Sequence, residues 1–335
     1  MHSRSPQVTI KDVAREAGVS ITTVSHALSG RRAVAEETRT RVLQAAERLG
    51  YFAHPAARSL RTGRIGVIGL VFRPRDAVRG SLAGTEYHLR LGGAAATAAV
   101  NAGFGLLHVP DPLATPAQLP MDGCILVAPS GSDKLLSTLL RRDMPVVTAD
   151  PDPDRPDLGW WVGRDEAAGL TAVLDHLREA GARRIALLSG TDDNAWHRHS
   201  QQAYRDWVAA NEMSPTVVRC YEGDGAGGAA KTVAPLLAGV DRPDAVVAAS
   251  SRFATGVVSA AGELGLDIPG QLLVVALSDS EVARAHTPSI TALDLQPDML
   301  GRAVVDLMLH RLEGAKAPKP VRVRPVLHPR TSTKG

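Results

Sequence analysis

Residues 9–28 read TIKDVAREAGVSITTVSHAL, two short stretches of helical apolar spacing separated by Gly18. Thr9 with Asp12 three residues on makes a capping-box-like helix start. Val13, Ala14 and Ala17 then fall on one narrow apolar face, and Gly18 suits the left-handed C′ position that ends a helix. Ser20 is a cap for a second helix with Val24, Ala27 and Leu28 inward, ended by Gly30. The spacing predicts a helix-turn-helix. A third helix is predicted over EETRTRVLQAAERLG, with Val42, Ala45, Ala46 and Leu49 on its inner face and Gly50 at its end. Glu36 and Glu37 suit the positive end of that helix's dipole. So small a core is marginal alone and makes sense as a module that docks on something.

Charge indicates what it docks on. Residues 1–64 hold 11 Lys/Arg and 5 Asp/Glu, a net +6, within a chain whose total is +3. A basic head on a slightly acidic body points to a polyanionic partner. In a helix-turn-helix the second helix enters the DNA major groove. Its outward residues Ile21, Thr22, Ser25 and His26 are the candidate base readers, by apolar contact, by hydrogen bonding, or by donation from His26 to a guanine edge. Thr9, Ser20, Thr23, Arg31, Arg32 and Arg39 are candidate phosphate contacts, which position without specifying.

From Arg64 onward, Val/Leu/Ile runs alternate with helix-like stretches, as in RIGVIGLVF, CILVAP, MPVVTA, RRIALLSG, DAVVAAS and LLVVALS. Unbroken apolar runs fit parallel strands buried on both faces, and the alternation implies doubly wound sheets. Some 270 residues suffice for two lobes with a cleft between them. Ligands of such sheets bind beyond the carboxyl ends of the strands. That criterion selects Arg73, Asp150, the loop 192–198 including Arg198, the stretch 250–252 with Ser250 and Arg252, and Ser278 with Asp279. Asp165, after the crossover near GWWVGRD, is a further candidate. Cys124 and Cys220 are read as reduced buried thiols. No apolar stretch approaches the ~18 residues of a membrane span, and residues 1–13 lack the apolar core of a signal peptide. A cytoplasmic protein, nucleoid-associated when bound to DNA, is expected.

The run VTIKDVAREAGVSITTVSHALSG, then TRTRVLQAAERLGY, then AARSLRTGR, resembles the N-terminus of LacI/GalR-type bacterial transcriptional regulators. The rest of the chain is similar to that family in layout. The resemblance implies an α-helical helix-turn-helix head (1–51), a hinge helix (52–63) and a two-lobed α/β, periplasmic-binding-protein-like body (64–335). Lobe 1 is expected at about 64–161 and 291–318, and lobe 2 at about 162–290 and 319–330. It also implies a homodimeric, non-enzymatic repressor on a palindromic double-stranded DNA operator. A small-molecule effector, a sugar or sugar derivative among the candidates, is expected in the cleft, with no cofactor, no metal and no membrane partner. In the hinge, the resemblance makes Leu60 a minor-groove wedge, with Ala57 close to the groove and Arg58 facing phosphates; an inserted apolar side chain unstacks and kinks a base step. His54 stands where the family usually offers Asn as a cap.

The cleft departs from the family. An Arg expected shortly before the Ala203-Tyr204 pair is Ser200, an Asp expected after the last buried strand is Ser278, and an Asn-Asp pair is Ser250-Ser251. Arg198, Arg252 and Asp279 stand one or two residues away as compensating charges. The effector is therefore not expected to be a plain monosaccharide held in the usual way; either the ligand is larger or the site responds weakly. The helix face around residues 84–103 and LGRAVVDLMLHRL are candidates for dimer packing. GDGAGGAAKT lacks the Gly directly before Lys that a phosphate loop needs, and reads as a Gly-rich loop entering a helix. His197 and His199 have metal-ligand spacing without further ligands. Trp160-Trp161 suits the cleft or the lobe boundary equally. The alternative to a repressor is a cytoplasmic small-molecule-binding protein or enzyme on the same two-lobed fold, for which no nucleophile-base set or dinucleotide fingerprint is present.

Overall fold

The structure is a computed structural model that describes residues 8–29, 34–51, 64–73, 86–109 and 120–334. The chain divides into two compact units, Met1–Ile65 and Gly66–Gly335.

The first unit holds α1 (Ile10–Ala17), α2 (Ile21–Ser29) and α3 (Glu36–Arg48). Thr9 starts α1 with its backbone N–H and its hydroxyl both donating to the Asp12 carboxylate, at 2.9 and 2.7 Å. Gly18 ends it at φ 66°, a conformation that only glycine adopts cheaply. Val19 N–H closes the turn on the Ala14 carbonyl at 3.0 Å, and Ser20 Oγ accepts from Thr23 N–H at 3.0 Å to start α2. Val13, Val24 and Val42, one from each helix, are fully buried together with Ala14, Ala17, Ala27, Ala45 and Ala46. Arg48 pairs with Glu16 at 3.3 Å across α3 and α1.

The second unit contains two six-stranded sheets among its described residues. The first joins β1 (Val67–Phe72), β2 (Gly105–His108), β3 (Gly123–Val127), β4 (Val146–Ala149), β5 (Trp161–Arg164) and, from the C-terminal region, β11 (Val321–Val323), in the order β11-β5-β4-β3-β1-β2, all parallel. The second joins β6 (Ile185–Gly190), β7 (Thr216–Cys220), β8 (Ala245–Ala248), β9 (Leu273–Ala276), β10 (Thr291–Asp294) and β12 (Val326–His328), in the order β12-β10-β9-β8-β6-β7. Only β12 runs antiparallel. Each sheet carries an apolar core on both faces, as parallel sheets require.

The helices are α4 (Glu86–Asn101), α5 (Lys134–Arg141), α6 (Glu166–Glu179), α7 (Ala195–Ala210), α8 (Gly225–Leu237), α9 (Ser251–Glu263), α10 (Glu281–Ala285) and α11 (Pro297–Leu312). In each lobe one helix pair packs backbone to backbone through a glycine. A Cβ on Gly301 of α11 would stand 3.0 Å from Ala95 N of α4, and one on Gly256 of α9 would stand 3.0 Å from Ala230 N of α8.

The expected lobe limits shift in three places. β5 completes the first sheet, so the chain crosses at Asp165 and not at 162. β10 belongs to the second sheet, so the return begins at Leu295 and not at 291. The C-terminal run expected to serve the second lobe alone splits at Arg324-Pro325, giving β11 to the first sheet and β12 to the second. Proline has no N–H for a ladder, and both pieces are three-residue edge strands. β7 is an element that no apolar run announced, because this edge strand keeps Arg219 exposed among its valines. The Gly-rich segment 225–228 is already helical and forms the first turn of α8.

Candidate functional site

On the head, Ile21 and Thr22 are exposed at the start of α2, Ile21 by 45%, while Ser25 and His26 follow one turn on and are half-buried. Thr9, Ser20 and Thr23 have hydroxyls engaged locally; Ser20 Oγ and Thr23 Oγ1 lie 2.8 Å apart. Arg39 is exposed on α3. Arg31, Arg32, His54, Ala57, Arg58 and Leu60 lie outside the described residues.

In the body a cleft of about 120 Å³, open at its mouth, lies between the two sheets at their carboxyl ends. Of the residues selected from sequence, Asp150, Ser250, Arg252 and Ser278 line it, as do Asp192, Asn194, Trp196 and His197 of the loop 192–198. Ser250 caps α9 by accepting from Phe253 N–H at 3.2 Å, and Ser278 Oγ accepts from Ser251 N–H at 3.2 Å. The remaining selected residues are placed elsewhere. Arg73 donates to Asp133 at 2.7 Å, and Asp165 caps α6. Arg198 is held by Asp193 and Asp154, and Asp279 lies between Arg284 and Arg330. Ser200, at the position of the family's Arg, is buried at 3% exposure one turn behind the cleft, and its hydroxyl has no partner among the described residues.

The centre of the cleft is a residue that the strand-end criterion passed over. Arg164 closes β5, is 4% exposed, and pairs with Asp150 Oδ2. Its guanidinium lies 4.5 Å from the Trp196 ring centroid of the second lobe and 5.3 Å from that of Tyr87 of the first. Asp150 sits at φ 77°, a strained setting of the kind found at binding sites. Arg164 Nε, Asp150 Oδ1 and the Tyr87 hydroxyl have no partner among the described residues. Burial pushes Asp150 up, to about 6, against the lowering pull of Arg164. Tyr87, His88, Trp196, Phe253 and Leu295 give the cleft an aromatic and apolar character.

The second-lobe wall is organised by Glu222, which follows the unannounced β7. Its carboxylate accepts from Thr191 Oγ1 at 2.9 Å and Asp192 N–H at 3.0 Å, and lies 3.1 Å from His197 Nε2. Burial alone would raise its pKa; the bonds from His197 and Asp192 overcome that and hold it at about 2. Arg252 donates to the Glu222 carbonyl at 3.0 Å. His199 faces the other way, 3.6 Å from Glu166, so the two histidines of WHRH do not converge. Trp160 and Trp161 pack within the first lobe: Trp161 donates to the Pro156 carbonyl at 3.1 Å and Trp160 stacks under Arg311. Cys124 and Cys220 are buried free thiols. No helix among the described residues is long and apolar enough to cross a membrane.

His88 gives a pH test. Enclosure beside Phe72 and Tyr87 lowers its pKa to about 4. The unfolded chain protonates this ring below about 6.5 while the folded one resists until about 4. Its contribution to stability is thus complete above 6.5 and lost as pH falls to 4. Asp150, shifted upward, acts with the opposite sign between about 4 and 6, so the informative quantity is a difference. His88→Gln is expected to lose about 3 kcal/mol less stability than wild type between pH 7 and 4. Urea midpoints across that range measure it, and parallel curves would contradict it.

Comparison with known proteins follows the same division. The profile of bacterial regulatory proteins of the lacI family matches residues 9–54, and that of the periplasmic binding protein-like domain matches 174–333. The HTH-type transcriptional repressor PurR of Aliivibrio salmonicida is 27% identical over 311 residues, covering 91% of this chain and 92% of that one. PurR of Erwinia tasmaniensis is 29% identical over 326 residues, covering 91% and 90%. Among solved structures, the Lac repressor dimer bound to operator and the anti-inducer ONPF superposes with a TM-score of 0.80 at 21% identity, over 98% of this chain and 100% of that one. The transcriptional regulator CelR-cellobiose complex does so with 0.70 at 24% identity, over 97% and 100%. With a head matched by the lacI-family profile, a two-lobed body matched by the periplasmic binding protein-like profile and repressor relatives aligned over nine-tenths of its length, the chain has the two-part build of LacI-type bacterial transcriptional regulators.

Proposed function

We propose that this protein is a DNA-binding transcriptional repressor that grips a palindromic operator as a homodimer in the bacterial cytoplasm, with an operator affinity set by a small molecule in the interlobe cleft. The observation that carries this reading is the head: a capped three-helix unit with Ile21 and Thr22 outward on its second helix, in a segment of net +6. One head is a weak reader; two on a two-fold axis read a palindrome. The relatives named repressors, and the Lac repressor dimer described with its operator, support this reading. So does the CelR complex with cellobiose, for a ligand in the body. The apolar residues Leu89 and Val100 of α4 and Met299 of α11, each about half exposed or more, suit a dimer face. The effector is a small molecule, a sugar derivative among the candidates, with an apolar face for Trp196 and Phe253 and polar groups for Ser250, Ser278 and Arg252. No catalytic step is assigned.

In vitro selection of duplexes bound by the full chain tests the reading, followed by binding curves at several salt concentrations. A palindromic consensus with affinity falling steeply in salt is expected; equal affinity for all duplexes would overturn it. On the selected site, His26→Ala is expected to cost ~1–3 kcal/mol and to relax preference at one base pair per half-site. Unchanged selectivity would clear His26 of base reading.

A further inference from the structure

Arg198 and Asp279, the charges that stood as substitutes for missing ligand clamps, do not line the cleft. Each belongs to a charged cluster that joins the two lobes. In the first, Arg198 on the opening turn of α7 donates to both oxygens of Asp193 in its own lobe, at 2.6 and 2.7 Å. It also donates to Asp154 of the first lobe at 2.8 Å and to the Pro153 carbonyl at 3.3 Å. A backbone bond between the lobes reinforces the junction, Gly131 N–H donating to the Asp193 carbonyl at 2.6 Å, while within the first lobe Ser132 N–H positions Asp154 at 2.6 Å. Ser130 and Asn194 form an antiparallel bridge beside it. In the second, Arg284 on α10 donates to Asp279 of its own lobe at 3.0 Å and to Glu86 of the first lobe at 2.9 Å. Arg330 fixes Asp279 from behind at 2.8 Å. The plan is the same twice: an arginine of the second lobe is shared between one carboxylate of each lobe. Both clusters adjoin cleft residues in the chain, Arg198 following His197 and Glu86 preceding Tyr87.

A lone exposed ion pair contributes little. Here each guanidinium serves two carboxylates, the Gly131–Asp193 backbone bond and the Ser130–Asn194 bridge tie the first junction, and each cluster is complete within the chain's own groups. Gly131 is part of the fit, because a Cβ there would overlap Asp193 and stand 2.6 Å from Arg198 Nη2. Asp154 and Asp193 are held below the usual carboxylate range by their bonds to Arg198.

We propose that the Arg198 and Arg284 clusters are a pair of electrostatic clasps that hold the lobes closed over the cleft, so that closure in this protein depends on ionic strength and not on an effector alone. The coupling of closure to operator affinity rests on the repressor reading; the clasps themselves do not.

The test is a distance measurement on the full chain without added metabolite. Spin labels at Lys134→Cys and Gln202→Cys, both exposed and on opposite lobes near the first clasp, report the gap across the mouth; Cys124 and Cys220 are buried and remain unlabelled. At roughly 0.1 M salt one short distance is expected, and at roughly 1 M, where charges are screened beyond about 3 Å, a second, longer population. Arg198→Ala with Arg284→Ala is expected to cut the closed-to-open ratio about tenfold at low salt. Gly131→Val is expected to shift it in the same direction with every charge retained, and Arg198→Lys with Arg284 intact to shift it less. Identical distance distributions in the wild type at both salts and in the double variant overturn the proposal. Operator binding, measured separately on the same samples, tests the repressor reading: a wild type that binds no duplex removes that reading and leaves the distance result standing.

Discussion

Val24→Asp is expected to abolish specific operator binding, lowering affinity about 10³-fold or more to the non-specific level. Val24 is fully buried at the meeting point of the three helices, among eight buried apolar residues in the described part of the head. An unpaired carboxylate there is far more costly than so small a core can absorb. Without α2 in place, Ile21, Thr22 and His26 have no common face to present to a groove. The body forms a separate compact unit, so its thermal transition is expected to stay within a degree or two of wild type. Fluorescence anisotropy on the selected duplex and calorimetry on the same preparation measure the two halves of the prediction. Retained affinity within tenfold, or a body melting as early as the head, would refute it.

The second large effect belongs to the cleft. Arg164→Ala is expected to destabilise the body by about 3–5 kcal/mol, because it strands the buried Asp150 carboxylate without its counter-charge. For a unit of this size that lowers the melting temperature by about 10 °C. Loss of the guanidinium between Trp196 and Tyr87 also removes a contact between the lobes. Arg164→Met combined with Asp150→Asn is expected to recover at least half of the loss, since no charge is then buried and asparagine tolerates the left-handed backbone at position 150. Denaturant midpoints of the single and double variants decide it. A double variant no better than Arg164→Ala would mean that packing of the guanidinium, and not the stranded charge, carries the effect.

The head was legible because every signal in it is local. A cap, a left-handed glycine and a 3.6-residue apolar rhythm act over a few residues, and Thr9, Gly18 and Ser20 take the roles that their types imply. The alternation of buried strands was legible for the same reason, apart from β7, whose exposed edge carries no apolar run, and from β5 and β10, short strands in segments read as crossings between the lobes. The cleft was read in part. Strand-end counting found Asp150, Ser250, Arg252, Ser278 and the cleft side of the loop 192–198, but it treated Arg198 and Asp279 as ligand contacts, although each had carboxylate or arginine neighbours from distant segments. It missed Glu222 with the strand before it, and it missed Arg164, which closes its strand as the last paired residue.

By itself the order of residues determined a basic three-helix head, a doubly wound body and the strand ends around a cleft, because these follow from backbone propensities and from burial patterns repeated along the chain. Which lobe owns β5, β10 and the halves of the C-terminal run, and which charges face the cleft and which join its rims, was decided only in three dimensions. A charge chooses its partner by distance through space, and Arg198 and Asp154, 44 residues apart in the chain, meet at 2.8 Å only after both sheets have formed.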